Sequence, residues 1–423
     1  MVGELIRKVG FWQLDRLKGG KIKKYYRQVC REMNGDELGE QRVNGILEYA
    51  KNKVPYYSKR SFDRFEDYPI LTKKDYMKEL DAFRSIDFFG EKLYRASTSG
   101  STGVPFTALQ DENKRNKHTA DLVFFHQKCG WNIGERYIFL RAWTSLYNNS
   151  KWYKLKNNII PYDVLRFGKT EIEQLIKQVQ CDKSIRLIVG YGSALGLIAD
   201  YLSDNDVCIN SGIRVIISDS DKLAVHHRKE LEKRFSCNVV DRYSNEEQGL
   251  IAFSYFSGCE YEVNRSSYRV EILKLNSNEY AEPGEIGRVI ITDLYNKAMP
   301  FIRYELGDLA VCNDDTSDAR YISDLQGRMS DLIRICNGTL ISSATVNNYF
   351  ESKKGIEQYQ FEQINDGSFI LRVVEKQPHF YSDSEYKNLI RKIYLGEPRL
   401  SIERLPSIPI GENGKFRTVI GIK

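Results

Sequence analysis

The chain has no CxxC pair. Its eight Cys, at 30, 129, 181, 208, 237, 259, 312 and 336, stand singly with no regular spacing. That argues against a disulfide framework and fits reduced thiols packed as small hydrophobes. The five histidines, at 118, 126, 226, 227 and 379, make no ligand spacing with those cysteines, so no zinc site is expected. No apolar run is long enough to cross a bilayer: the longest charge-free stretch around a strand-like segment, Leu187 to Ala199, is bounded by Arg186 and Asp200. The opening Met-Val-Gly-Glu leads to Lys and Arg without an apolar core or a small-residue cleavage site, so a cytoplasmic protein is expected. The sequence contains no internal repeat and no low-complexity tract.

What is present is a chain of 423 residues, 41% hydrophobic, 28% charged and 12% aromatic, enough to bury a large core and to divide into two or more domains. Disorder and a fibre are both excluded by that composition. The net charge of +6 is unevenly spread. Residues 1 to 31 carry nine Lys or Arg against Glu4 and Asp15, a net +7, which leaves the rest of the chain at −1. A nucleic-acid binder would spread basic residues through a domain with interleaved aromatics, so no nucleic-acid partner is expected. In the basic segment the charges alternate with Leu5, Ile6, Val9, Phe11, Trp12, Leu14 and Leu17, and positions 5, 9, 12 and 16 share a helical face. Two readings follow: an interfacial helix with Trp12 at headgroup depth, or an arm packed on the body or on a second subunit. Gly10, Gly19 and Gly20 weaken a helix there.

Helical periodicity runs from Arg31 to Ala50 and stops at Val54-Pro55. Thr72, with Asp75 three residues on, predicts a capped helix start. Between 170 and 240 the period changes repeatedly. Helices are expected near 170 to 180, 193 to 202 and 222 to 235, and strands at Ile185 to Val189, Ile213 to Ile217 and Asn238 to Val240, the alternation of a mostly parallel sheet with crossover helices. Strands at Tyr268 to Leu275 and Arg288 to Thr292 flank a Pro283-Gly284 turn. The last 90 or so residues form a fresh set, with strands near 332 to 335, 357 to 363 and 368 to 374 and helices near 343 to 351 and 383 to 394, and read as a small α+β domain.

The strongest chemical signal is Ser97-Thr98-Ser99-Gly100-Ser101-Thr102-Gly103 before Val104-Pro105. Backbone N–H groups in such a loop can converge on phosphate oxygens, the glycines permit positive φ and the hydroxyls add donors. The spacing is not that of a Walker loop. Gly190-Tyr191-Gly192-Ser193-Ala194-Leu195-Gly196 approaches a dinucleotide fingerprint, but its third glycine comes one residue late, so close packing of strand on helix is the preferred reading. Three polar clusters follow apolar strands: Arg242 to Glu247, whose paired carboxylates could hold magnesium or form a solvated turn; Arg303 to Asp308, ending in an Asp able to accept ribose hydroxyls; and Gly327-Arg328-Met329-Ser330-Asp331, a candidate hinge.

Taken in order, these clusters resemble the adenylate-forming superfamily, in particular its phenylacetate-CoA ligase-like branch, which includes enzymes from capsule and O-antigen gene clusters. Leu47 to Tyr57 with Pro69 to Lys73 is similar to that branch's N-terminal region, Thr98 to Gly103 to its phosphate loop, and Tyr243 to Glu247 to its YGxSE motif. Arg303 to Asp308 is similar to RYxxGD, Gly327 to Gly338 to GRxxDxI…G, and Gly414-Lys415 to the C-terminal lysine. Ser244 replaces the usual glycine, Glu246 the usual Ser or Thr, Phe106 a frequent lysine, and Ser330 the usual hinge Asp or Lys.

The resemblance implies an α/β protein with a large N-terminal domain over 1–326, a hinge at 327–331 and a small mobile α+β domain over 332–423. It implies ATP-dependent activation of a small-molecule carboxylate to an acyl-adenylate, with release of pyrophosphate. Acyl transfer follows, either to CoA or to an amine or hydroxyl, such as that of a sugar in surface-polysaccharide assembly. By the same resemblance Thr98, Ser99, Gly100, Ser101, Thr102 and Gly103 would cradle phosphate and Tyr243 would stack on adenine. Asp308 and Arg328 would hold the ribose, Lys415 would bridge carboxylate and α-phosphate, and Glu247, or alternatively Glu246, would bind Mg²⁺. The other class of function is a catalytically silent nucleotide-binding or scaffold protein of the same fold.

Overall fold

Ile185–Tyr191 reads IRLIVGY and Val215–Asp219 reads VIISD, and both are buried almost throughout. A strand covered on both faces by helices needs apolar side chains in both directions, and that is why these runs are continuous rather than alternating. The computed structural model describes residues 2–35, 39–98, 106–143, 150–255, 260–328, 332–338, 340–341, 346–347, 349–350, 353, 355–364, 367–409 and 417–421.

Among them, eleven strands form one sheet. In its parallel part Ile159–Asp163, Arg136–Arg141, Ile185–Tyr191, Val215–Asp219 and Asn238–Asn245 lie side by side in that order. Crossovers are supplied by helices Lys169–Cys181, Gly192–Asp204 and Val225–Phe235. At Asn245 the chain turns back as Gly249–Phe253, and from there the sheet is antiparallel, through Tyr261–Val263, Tyr321–Arg328, Tyr304–Val311, Ile286–Asp293 and Tyr268–Leu273. Short hairpin connections allow antiparallel pairing, whereas the helix-length connections upstream impose parallel pairing. The expected strands and helices between 170 and 300 are all present, with Asn238–Asn245 longer than its apolar part because it runs on through Arg242-Tyr243-Ser244.

Thr72 caps Lys73–Lys78 as anticipated: Asp75 Oδ2 accepts from the Thr72 amide at 2.9 Å and from its hydroxyl at 2.7 Å. The periodicity read as continuous from Arg31 to Ala50 belongs to two helices, Lys21–Glu32 and Gly39–Lys53. Before them Val2–Leu17 is helical straight through Gly10. It ends at Gly19 and Gly20, whose φ values of 92° and 67° are left-handed, so these two glycines stop the helix.

The C-terminal region is α+β. Four strands are ordered Leu400–Arg404, Phe369–Glu375, Ile356–Gln363 and Val419–Ile420, with helix Asp383–Tyr394 packed on them. Its apolar cluster, including Ile333, Phe361, Leu371, Ile390 and Val419, draws, among the described residues, on residues beyond 332.

Candidate functional site

In an open α/β sheet, ligands bind beyond the carboxyl ends of the parallel strands. Here Asn238–Asn245 and Val215–Asp219 end side by side, where the sheet passes from parallel to antiparallel. Arg242 forks onto the Asp219 carboxylate, with Nε 3.2 Å from Oδ1 and Nη2 closer on Oδ2, and Ser244 Oγ donates to the same Oδ1 at 2.9 Å. Burial opposes the Arg242 charge, but the Asp219 partner outweighs it and raises the guanidinium pKa. Arg242 also lies 3.4 Å from His126 Nε2. Burial together with that cation pushes the imidazole pKa down to about 3.

Tyr243, next along the strand, sends its hydroxyl to Asp308 Oδ2 at 2.7 Å. Asp308 follows Gly307, whose φ of 80° turns the strand Tyr304–Val311, and its backbone pairs directly with Arg328 on the neighbouring strand. Three of the expected nucleotide contacts therefore come from two adjacent strands and one facing tyrosine; Arg328 is described in its backbone only. Arg303, from the same motif, turns away into the core, where Nη2 meets Glu271 Oε1 at 2.9 Å and Nη1 meets the Glu66 carbonyl at 2.8 Å.

After Asn245 the chain makes a tight turn, closed by the Gln248 amide on Asn245 Oδ1 at 2.7 Å. Its two carboxylates part company: Glu246 is exposed, with Arg141 Nη2 3.9 Å away, and Glu247 is only 8% exposed. The turn is held from behind. Gln110 Nε2 donates to the Glu247 carbonyl at 2.8 Å and to that of Glu246 at 3.4 Å. Tyr268 donates its hydroxyl to the Gln248 carbonyl. Gly249 has φ of 92°, and a Cβ there would run into the His118 ring.

Gln110 ends the hairpin of Tyr94–Thr98 with Phe106–Gln110, in which Thr98 pairs with Phe106. The candidate phosphate loop lies in sequence between these two strands. Ser99, Gly100, Ser101, Thr102 and Gly103 lie outside the described residues, as do Lys415 and hinge residues 329–331, and Thr98 is described in its backbone only. The hairpin stem is thus tied to the carboxylate turn.

The 190–196 glycines are packing residues, as preferred from their spacing. A Cβ at Gly190 would come 2.8 Å from Leu140, one at Gly192 2.6 Å from the Asp221 carbonyl, and one at Gly196 2.8 Å from His227. Asp221 Oδ2 accepts from the Ser193 amide at 3.3 Å, so a carboxylate of the chain itself occupies the helix start that a dinucleotide would need.

Behind the turn lies a buried network that sequence reading missed. Lys114 Nζ pairs with Asp293 at 2.6 Å and donates to Tyr268 at 2.8 Å, and Lys117 pairs with Asp121 at 2.5 Å. Burial lowers the Lys117 pKa despite that carboxylate. The only available signal was two lysines spaced three apart with Asp121 four residues after the second, a pattern common on solvated helices. The fold also brings Asp200, His226 and His227 together with ligand atoms within 4.8 Å of one another, a grouping that His–Cys spacing could not reveal.

No protein-family model matches the chain. It is 22% identical over 402 residues to Protein CapK of Staphylococcus aureus, covering 89% of this chain and 86% of that one. To phenylacetate-coenzyme A ligase of Pseudomonas putida it is 21% identical over 388 residues, 84% of each. Among solved structures, 2-hydroxyisobutyryl-CoA ligase in its postadenylation state superposes with a TM-score of 0.68 at 16% identity, covering 90% of this chain and 88% of that one. The O-succinylbenzoate coenzyme A synthetase of Bacillus subtilis with AMP gives 0.55 at 17%, covering 77% and 67%. In fold, and in sequence along most of its length, the chain therefore resembles the adenylate-forming ligases, on the side of the superfamily that holds phenylacetate-CoA ligase and CapK.

Proposed function

We propose that the protein is an ATP-dependent ligase that activates a small-molecule carboxylate as its acyl-adenylate and passes the acyl group to CoA. A carboxylate oxygen attacks the α-phosphorus of ATP, an acyl–O–P bond forms, and the bond to the departing pyrophosphate breaks. Two anions must approach, so the barrier is mainly electrostatic. Asp308, held by Tyr243, is the acceptor for ribose hydroxyls, with Arg328 beside it on the next strand, while the Tyr243 ring is the adenine platform. Thr98 to Gly103, on a hairpin anchored at Gln110, cradles phosphate.

A hard-cation site needs a carboxylate oxygen near the phosphates, and the turn tied to that hairpin carries two. Glu247, nearly covered, would hold Mg²⁺ in a setting where its charge is poorly screened, with Glu246 as the alternative. Bound Mg²⁺ supplies positive charge against the phosphate oxygens. Lys415 does the same for the incoming carboxylate and the α-phosphate, brought in by a C-terminal domain of residues 332–423 that turns on 327–331 against the large domain of residues 1–326.

The second acceptor reading, an amine or hydroxyl such as that of a sugar in surface-polysaccharide assembly, rests on the motif resemblance alone. We place the ligase in the cytoplasm with residues 1–31 as its contact to a membrane.

The observation that carries the reading is the Tyr243–Asp308 bond at the carboxyl end of the parallel strands, beside the anchored hairpin. Exchange of labelled pyrophosphate into ATP, dependent on an added carboxylate, tests it. Exchange with no carboxylate in a broad panel would leave a nucleotide-binding protein without ligase chemistry.

A further inference from the structure

The first two helices form a hairpin fixed by one carboxylate. Asp15, buried near the end of Val2–Leu17, accepts the Ile22 amide at 3.0 Å and the Lys23 amide at 2.9 Å, two of the free N–H groups in the first turn of Lys21–Glu32. The second helix is seated on the body through buried Val29 and a Tyr26 to Gln127 bond of 2.7 Å. The first is seated through Glu4 and Arg7, whose backbone and Cβ press on Gly134. This leaves its apolar side facing out: Leu5 is 61% exposed, Ile6 65% and Leu17 82%, and Val2, Val9 and Leu14 are exposed as well. Soluble surfaces scatter apolar residues singly, and a run along one ordered helix marks a contact surface.

The stripe continues into a groove. Leu5, Val9, Trp12 and Arg16 follow one another along one helical face, and at Trp12 and Arg16 that face meets the second helix. The cleft there, of about 770 Å³, is lined by Trp12, Arg16, Lys23, Lys24, Arg27 and Arg31. Among the described residues that line it the one acid is Asp15, whose two oxygens are already engaged by amides. Among the described residues none of the five cations has a carboxylate partner, while Lys23 lies 5.9 Å from the Trp12 ring centre.

We propose that this hairpin is the surface by which the protein sits on an anionic lipid bilayer, the outward stripe of Val2–Leu17 entering the acyl boundary and the adjoining cationic groove receiving headgroup phosphates. An apolar stripe alone would equally suit a second copy, but two copies would bring two +7 segments together. An anionic surface satisfies the stripe and the charge at once. The inference deepens the reading of residues 1–31 as a membrane contact and is independent of the adenylation chemistry.

The test uses the full chain and vesicles of phosphatidylcholine with and without phosphatidylglycerol. Wild-type protein sediments with the anionic vesicles and is released as salt rises. Ile6→Glu abolishes sedimentation, and Arg16→Gln, Lys24→Gln and Arg27→Gln each lower the partition constant by about fivefold. All four variants keep wild-type pyrophosphate exchange and melting temperature, which separates lost docking from misfolding. If exchange is absent while vesicle binding follows this pattern, the ligase reading falls and the docking surface stands. The proposal is overturned by equal binding to neutral vesicles, by no binding to either, by variants that sediment like wild type, or by phosphate binding without vesicle binding. It is equally overturned if light scattering finds a dimer that Ile6→Glu dissolves without changing sedimentation.

Discussion

The bond from Tyr243 to Asp308 joins an aromatic ring and a carboxylate 65 residues apart, and its loss is measurable. Hydrogen bonds to charged groups contribute about 1.5–3 kcal/mol, so Tyr243→Phe is expected to raise the KM for ATP roughly tenfold or more with a smaller change in kcat. Glu247→Gln should lower pyrophosphate exchange by about a hundredfold or more and Glu246→Gln far less. The reverse order would move the metal role to Glu246. Lys415→Ala should abolish exchange while ATP affinity and melting temperature stay near wild type, because its role belongs to the transition state; equal activity would remove it from the reaction.

His118 and His126 give a pH signature. Burial is the main cause holding both folded pKa values below 6.5, that of His126 at about 3, so each ring stays neutral in the fold and takes up a proton on unfolding. Their stability contribution is complete above pH 6.5 and is lost as pH falls toward the folded values, by up to about 1.4 kcal/mol per pH unit for each ring. Neither residue is fully covered, so the measured slope should be smaller. Denaturant unfolding at pH 7 and pH 5 should show the loss, and His126→Asn should reduce its slope.

At the scale of elements, caps and turns hold the site. Asp111 caps Glu112–Lys128 through the Lys114 amide at 2.8 Å and also accepts the Lys297 amide at 2.8 Å, so one carboxylate fixes both a helix start and a distant loop. Asp111→Ala should cost about 1–2 kcal/mol from the cap alone, and more from the abandoned loop amides. Gly249→Ala meets two penalties, a left-handed backbone and the His118 ring, and should destabilise the fold by about 2–4 kcal/mol while loosening the Glu246-Glu247 turn. Chemical denaturation alongside exchange assays would separate the two effects. Unchanged stability would mean the ring moves aside at no cost.

At the scale of the molecule, the proposed hinge predicts that limited proteolysis cuts within 327–331 and that ATP with a carboxylate alters the cutting rate there. Uniform resistance of that segment with and without ligands would argue for a rigid junction.

Strand and helix positions between 170 and 300 were legible because fully covered strands and half-covered helices impose apolar runs and periods on neighbouring residues. The near-fingerprint at Gly190 could be set aside on spacing, and the structure supplies the reason in Leu140, Asp221 and His227. The motifs around Tyr243 and Asp308 were legible one at a time, since each is a polar break after an apolar strand. What the sequence could not express is which distant groups meet. Gln110 bracing the Glu246-Glu247 turn, Arg303 turned into the core against Glu271, and Lys114 buried against Asp293 each join residues from 32 to 179 positions apart. Burial of a charge is decided by its partner, and the partner is chosen by the sheet's order. The outward stripe of Val2–Leu17 divides the same way: local sequence determined that the helix has an apolar side, and only the docking of its polar side on Gly134 and Asp15's grip on the second helix decided that this side faces out.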